Sequence, residues 1–167
     1  GDFNNAVSLN AISTLRLMTN SEITIEGDLN WNDRVFLFGN CKMYVGGDVN
    51  MTSSSIENFQ SNSKVYCKGN WNGNLATDFN PYPGSQVIFN GNSNQTCMLN
   101  ANSFFQDVLI DKTDGSSVII LQEEVHVDGD FDLLNGGLKI EEATLDVNGS
   151  FNSPNPFLTV EFSEASS

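Results

Sequence analysis

Carboxylates at alternate positions are the first feature of this chain with chemical potential. Asp128, Asp130 and Asp132 are separated by single residues, and Asp28 and Asp48 occupy equivalent places in two similar phrases. In a β-strand, alternate residues share a face, and strands in one sheet lie about 5 Å apart. Carboxylates packed that closely repel, and a calcium ion bound through oxygen ligands would relieve them. Asp128, Asp130 and Asp132 are therefore the candidate metal ligands, with calcium as the ion considered; no cofactor is otherwise called for. Neither the calcium loop of helix–loop–helix proteins nor the glycine-rich calcium nonapeptide is present. The same aspartates, with Asn30, Asn50, Asn72, Asn94 and Asn152 at related positions, better suit a hydrogen-bonded ladder that caps corners of a coil.

Tyr44 and Tyr66 fall three residues before the glycine in successive phrases, so their rings are expected to stack, facing outward. An aromatic strip flanked by amides and carboxylates suits sugar recognition, with Tyr82 as a further ligand-binding candidate. Such a strip also stabilises strand pairing with no ligand at all. Trp31 keeps the inward phase and is expected in the core. The chain has one histidine, His126, on the outward phase, and two arginines, Arg16 and Arg34, neither set beside an acidic cluster. Carboxylate pairs are so abundant that finding one for glycoside hydrolysis means little, and phosphate-cradling glycine motifs are missing. No catalytic residue is assigned, and the chain is read as a non-enzyme.

These residues take their places from a repeat. Ile23-Thr-Ile-Glu-Gly27-Asp-Leu-Asn returns as Met43-Tyr-Val-Gly-Gly47-Asp-Val-Asn and Val65-Tyr-Cys-Lys-Gly69-Asn-Trp-Asn. It returns again at Val87 to Asn94, Val125 to Asp132 and Leu145 to Asn152, with Val108 to Lys112 as a copy carrying Lys in place of Gly. Apolar residues lie four and two positions before the glycine and two after it, with polar residues between. Alternation of this kind is a strand with one buried face. A second strand precedes each phrase, as in Leu15/Leu17, Val35/Leu37, Ile56/Phe59 and Val118 to Leu121. The expectation is an all-β fold, a single-stranded parallel β-helix or β-solenoid with about 20-residue rungs in about seven copies. The glycines are expected to turn corners with positive φ. Residues 1–163 form one solenoid domain in this reading, 164–167 a loose C-terminal tail, and the Pro-containing stretch Leu75 to Gln86 a loop on one edge.

Composition narrows the partners. With 7 Lys plus Arg against 21 Asp plus Glu, the net charge is −14, which argues against nucleic acid and anionic membranes. No apolar run reaches the roughly 18 residues of a membrane span. Cys41, Cys67 and Cys97 have no metal-site spacing. Cys67 is expected in the core.

The stretch Lys64 to Leu134 resembles a known repeat. It runs through Ser85-Gln-Val-Ile-Phe-Asn-Gly91, Gln95-Thr96, Phe104-Phe105-Gln-Asp-Val-Leu-Ile-Asp and Val125-His-Val-Asp-Gly-Asp-Phe. This resembles β-solenoid repeats of large secreted and cell-surface proteins of Clostridia and Bacteroidetes, a family without assigned catalytic residues. A weaker similarity is to bactofilins, cytoskeletal β-helices whose rungs are shorter and more regular. The resemblance implies a structural or adhesive module, extracellular on a bacterial surface, flanked by further repeats of the same long chain. A carbohydrate-binding module or adhesin holding glycan or a host surface protein through its Tyr/Asn/Asp face is the alternative. A polysaccharide-degrading β-helix is third.

Overall fold

In a computed structural model, residues 2–3, 7–9, 14–52, 56–75, 79–113, 116–121, 124–154 and 160–163 are described; the tail 164–167 lies outside them. The described residues form parallel strands and no helix, hence none long and apolar enough to cross a membrane. The chain winds as a β-solenoid with about 21 residues per turn.

Each turn visits three faces. The first is an eight-stranded parallel sheet of Asp2–Phe3, Glu22–Ile25, Lys42–Val45, Lys64–Cys67, Gln86–Phe89, Asp107–Asp111, Phe131–Asn135 and Phe151–Asn152. The second face is also eight-stranded and runs from Val7–Leu9 through Leu29–Trp31, Val49–Met51, Trp71–Gly73, Gln95–Leu99, Ser117–Leu121 and Gly137–Glu141 to Val160–Ser163. The third is split into two three-stranded sheets. One holds Thr14–Leu17, Arg34–Leu37 and Ile56–Phe59, the other Phe104–Phe105, Glu124–Val127 and Thr144–Val147.

The split has a cause in the sequence. Between the two halves the third face is occupied by the stretch expected to be an edge loop. There the Tyr82 N–H donates to the Phe59 carbonyl at 2.9 Å, and the Phe104 N–H donates to the Phe79 carbonyl at 2.9 Å. Pro81 and Pro83 lack the N–H a ladder requires, so the segment follows the sheet without completing it. Phe79 points fully inward. Its ring meets Trp31, Phe59, Trp71 and Phe105 at centroid distances of 6.1, 5.5, 5.4 and 5.8 Å. Trp31 and Trp71 are likewise fully buried, and the mainly edge-on geometry is the one aromatic quadrupoles favour.

The corners differ from expectation. Among the described residues the positive-φ glycines are Gly84 and Gly136, so the glycines of the repeated phrase do not turn with positive φ. Glycine is required for lack of space. At Gly69 an added Cβ would lie under 3.0 Å from the Gly47 backbone one turn below. The left-handed conformation recurs instead at the corner from third to first face, on Asn20, Asn40 and Asn62 (φ 64°, 58° and 64°) and on Gly84 (φ 81°), with Glu142 (φ 52°) adopting it between the second and third faces. Asparagine tolerates this region better than other residues with a Cβ. The column is stitched by the Asn62 N–H donating to the Gly84 carbonyl at 2.9 Å and by Asn40 Nδ2 donating to Asn20 Oδ1 at 3.2 Å.

The phrase also changes face. Copies up to Gly91 bridge the first and second faces, but Val125/Val127 and Leu145/Val147 lie on the third face. Their first-face places are taken by Phe131 and Phe151. Val118 to Leu121, expected to precede a phrase as the third-face strands do, is correspondingly on the second face. The phrase encodes a corner, and two of the three corners are built alike. Val108 to Lys112 is the Lys-bearing copy as read, with Val87↔Val108 and Phe89↔Ile110 in register. Lys112 is buried, and its Nζ donates to Gln95 Oε1 at 2.5 Å. After Gly91 the corner is four residues longer than at Gly69, since Cys67 pairs with Phe89 but Trp71 pairs with Cys97. Cys97 takes the inward place that Trp71 holds two residues past its glycine, Gln95 is buried in the lengthened corner, and Ser93, two residues past Gly91, is exposed.

Candidate functional site

The polar columns bind turn to turn. Asn50 Nδ2 donates to Asn30 Oδ1 at 3.0 Å, and Asn72 Nδ2 to Asn50 Oδ1 at 2.7 Å. At the corner, Asp28 Oδ1 accepts from the Asp48 N–H (2.8 Å), Asp48 Oδ1 from the Asn70 N–H (2.7 Å), and Asn70 Oδ1 from the Thr96 N–H (2.8 Å). Asn94 does not join the asparagine ladder, because Asn72 pairs with Met98; its Oδ1 accepts from the Ser117 N–H.

Asp128 and Asp130, at the corner from third to first face, and Asp132, on the strand that follows, do the same work. Their Oδ1 atoms accept from Asn148 Nδ2 at 3.1 Å, the Ser150 N–H at 2.9 Å and Asn152 Nδ2 at 2.8 Å. Each carboxylate reaches for its own partner one turn on. Asp107, below them, has its carboxyl raised above the usual range, by partial burial first and by Asp130 and Asp132 as well, while a backbone hydrogen bond from Asp130 opposes the shift.

Tyr44 and Tyr66 meet as expected, with ring centroids 4.6 Å apart and planes 18° from parallel. Partial burial, then Tyr44, raises the Tyr66 hydroxyl above its ordinary value. Beside the pair lies a hollow of about 300 Å³ whose walls include Thr24, Glu26, Lys68 and Asn90. Tyr82, 53% exposed, does not line it. A second hollow of about 520 Å³ lies farther along the first face, between Leu109, Asp132, Leu134 and Phe151.

No protein family, curated protein or solved structure matches the chain. The chemistry of the surface is therefore argued from its own geometry.

The third face holds an arrangement that the individual residues did not announce. His126 lies opposite Asp146 in the parallel register, and Glu124 precedes His126 by two residues on the same face. His126 Nδ1 and Asp146 Oδ2 are 2.9 Å apart, and Asn148 Nδ2 approaches His126 Nε2 at 3.3 Å. The Phe104 ring stands edge-on to the imidazole at 6.1 Å. Among the described residues, Glu124, His126 and Asp146 are the group whose ligand atoms converge, all within 4.8 Å of one another; Asp128, Asp130 and Asp132 do not. The signal was present in the sequence, since Val125-His-Val and Leu145-Asp-Val stack as consecutive copies.

The cysteines are all free and buried. Cys41 Sγ donates to the Met18 and Phe38 carbonyls at 2.9 and 2.6 Å. Burial pushes the Cys67 thiol up to about 12 and raises that of Cys97 as well. Only thiolates react readily, so at about pH 8 the native protein is expected to resist thiol reagents that label free cysteine. Denaturant should release all three thiols, read by a colorimetric thiol titration. Fast labelling of the native chain would contradict the buried placement.

Proposed function

We propose that this chain is a non-enzymatic structural module of a bacterial surface or secreted protein, one section of a longer solenoid. The observation that carries this reading is the continuity of the polar columns. Side chains with chemical potential hold one turn to the next, through Asn30–Asn50–Asn72 and through Asp28, Asp48 and Asn70. The resemblance of Lys64 to Leu134 to surface-protein repeats supports the location, as does a net charge of −14, which favours solubility in a crowded exterior. A solenoid coheres through neighbouring turns alone. Pulled from its ends, the module should yield in increments of one turn, ~70 Å of chain for about 21 residues. Single-molecule force spectroscopy checks this, and smooth extension without steps would count against it.

A second reading, adhesion to glycan, is favoured by the Tyr44–Tyr66 pair and its hollow. Rings can pack on a sugar face while Glu26 and Asn90 offer hydroxyl partners. A glycan array, probed with and without calcium, should then show binding that Tyr44→Ala/Tyr66→Ala abolishes. No binding under either condition would remove this reading.

A further inference from the structure

We propose that Glu124, His126 and Asp146 form a surface site for a borderline divalent cation of the zinc class. Three observations lead there. The ligand atoms lie within 4.8 Å of one another, close enough for modest side-chain rotations to bring them to the ~2.0–2.2 Å that zinc keeps to nitrogen and oxygen ligands. The imidazole is already oriented, its Nδ1 facing Asp146 while Asn148 meets Nε2 and Phe104 flanks the ring. Finally, the Glu124 side chain makes no hydrogen bond or ion pair among the described residues. The site thus has two carboxylates around one imidazole, an excess of negative charge that a dication would balance.

The donor set selects the metal. Calcium takes six to eight oxygens, whereas one imidazole nitrogen with two carboxylate oxygens suits zinc and the neighbouring transition metals. Three protein ligands would leave coordination positions for water or a further partner. The ligands come from adjacent turns, Glu124–Val127 and Thr144–Val147. Bound metal would therefore clamp them where Leu145 and Val147 are only partly covered, stabilising the fold by mass action.

The test is calorimetric titration of tag-free protein with zinc chloride, with calcium chloride alongside and backbone NMR shifts recorded. One zinc per chain is expected, with shifts centred on Glu124, His126 and Asp146, a raised melting temperature, and little response to calcium. His126→Ala should weaken zinc binding by about tenfold or more. Glu124→Gln, which removes a ligand but no side-chain hydrogen bond or ion pair among the described residues, should also weaken it, with the metal-free melting temperature unchanged. Absence of zinc binding, or binding that both variants leave intact, would overturn the site.

Discussion

Replacing Phe79 with alanine is expected to lower the unfolding free energy by about 3–5 kcal/mol, the range for deleting a large buried aromatic. Phe79 is fully buried and, among the described residues, is the one ring in contact with Trp31, Phe59, Trp71 and Phe105 together. Its removal leaves a void that four large side chains, each anchored in or beside a strand, cannot all move to fill. The position also carries architecture. The Phe79 carbonyl ties the segment to the second half of the third face through the Phe104 N–H, and its own N–H is held by Ser103 Oγ at 2.9 Å. Equilibrium urea unfolding checks the prediction. A loss below ~1 kcal/mol would mean that the proline-bearing segment is a detachable loop after all.

The second large effect is expected at Gln95. Its buried amide serves four groups. Oε1 accepts from the Gly91 N–H at 3.0 Å and from Lys112 Nζ at 2.5 Å, while Nε2 donates to the Cys67 carbonyl at 3.0 Å and to that of Gly69. Leucine fills a similar volume and offers none of these bonds. Gln95→Leu should therefore cost more than ~3 kcal/mol, because buried donors and an amine lose an acceptor with no water to replace it. Gln95→Glu keeps the acceptor and should fall between the two. A leucine variant within ~1 kcal/mol of the parent would show that this corner relaxes or admits water.

Both residues mark the limits of what could be read from the chain. The solenoid was legible because the phrase from Ile23 to Asn30 recurs with strict alternation, and strands have no other way to keep one face buried. The tyrosine pair was legible for the same reason, since consecutive copies must stack. The face change after Gly91 was not. Val125-His-Val-Asp-Gly129-Asp builds the third-to-first corner from the residues that build the first-to-second corner at Gly47. Local pattern cannot distinguish corners of like geometry. Gln95 escaped notice because inward polar residues look like lapses in a pattern until their partners are seen, and Lys112 supplied only half of that pair. Phe79 was hidden by Pro81 and Pro83, which signal a loop locally while the ring beside them is drawn into the core. The Glu124–His126–Asp146 group needed the register, which brings residues 20 positions apart within bonding distance.

The account rests on polar side chains of the corners acting as structural ties between turns. Residue-resolved hydrogen exchange tests this most directly, at the amides of Asp48, Asn70, Thr96 and Ser150. Each donates to a side-chain oxygen of the previous turn, on Asp28, Asp48, Asn70 and Asp130, rather than to a backbone carbonyl. Protection at these four amides should match that of neighbouring strand amides. Exchange at open-loop rates, with the strands still protected, would contradict it and return the aspartate columns to the pool of residues available for ligands.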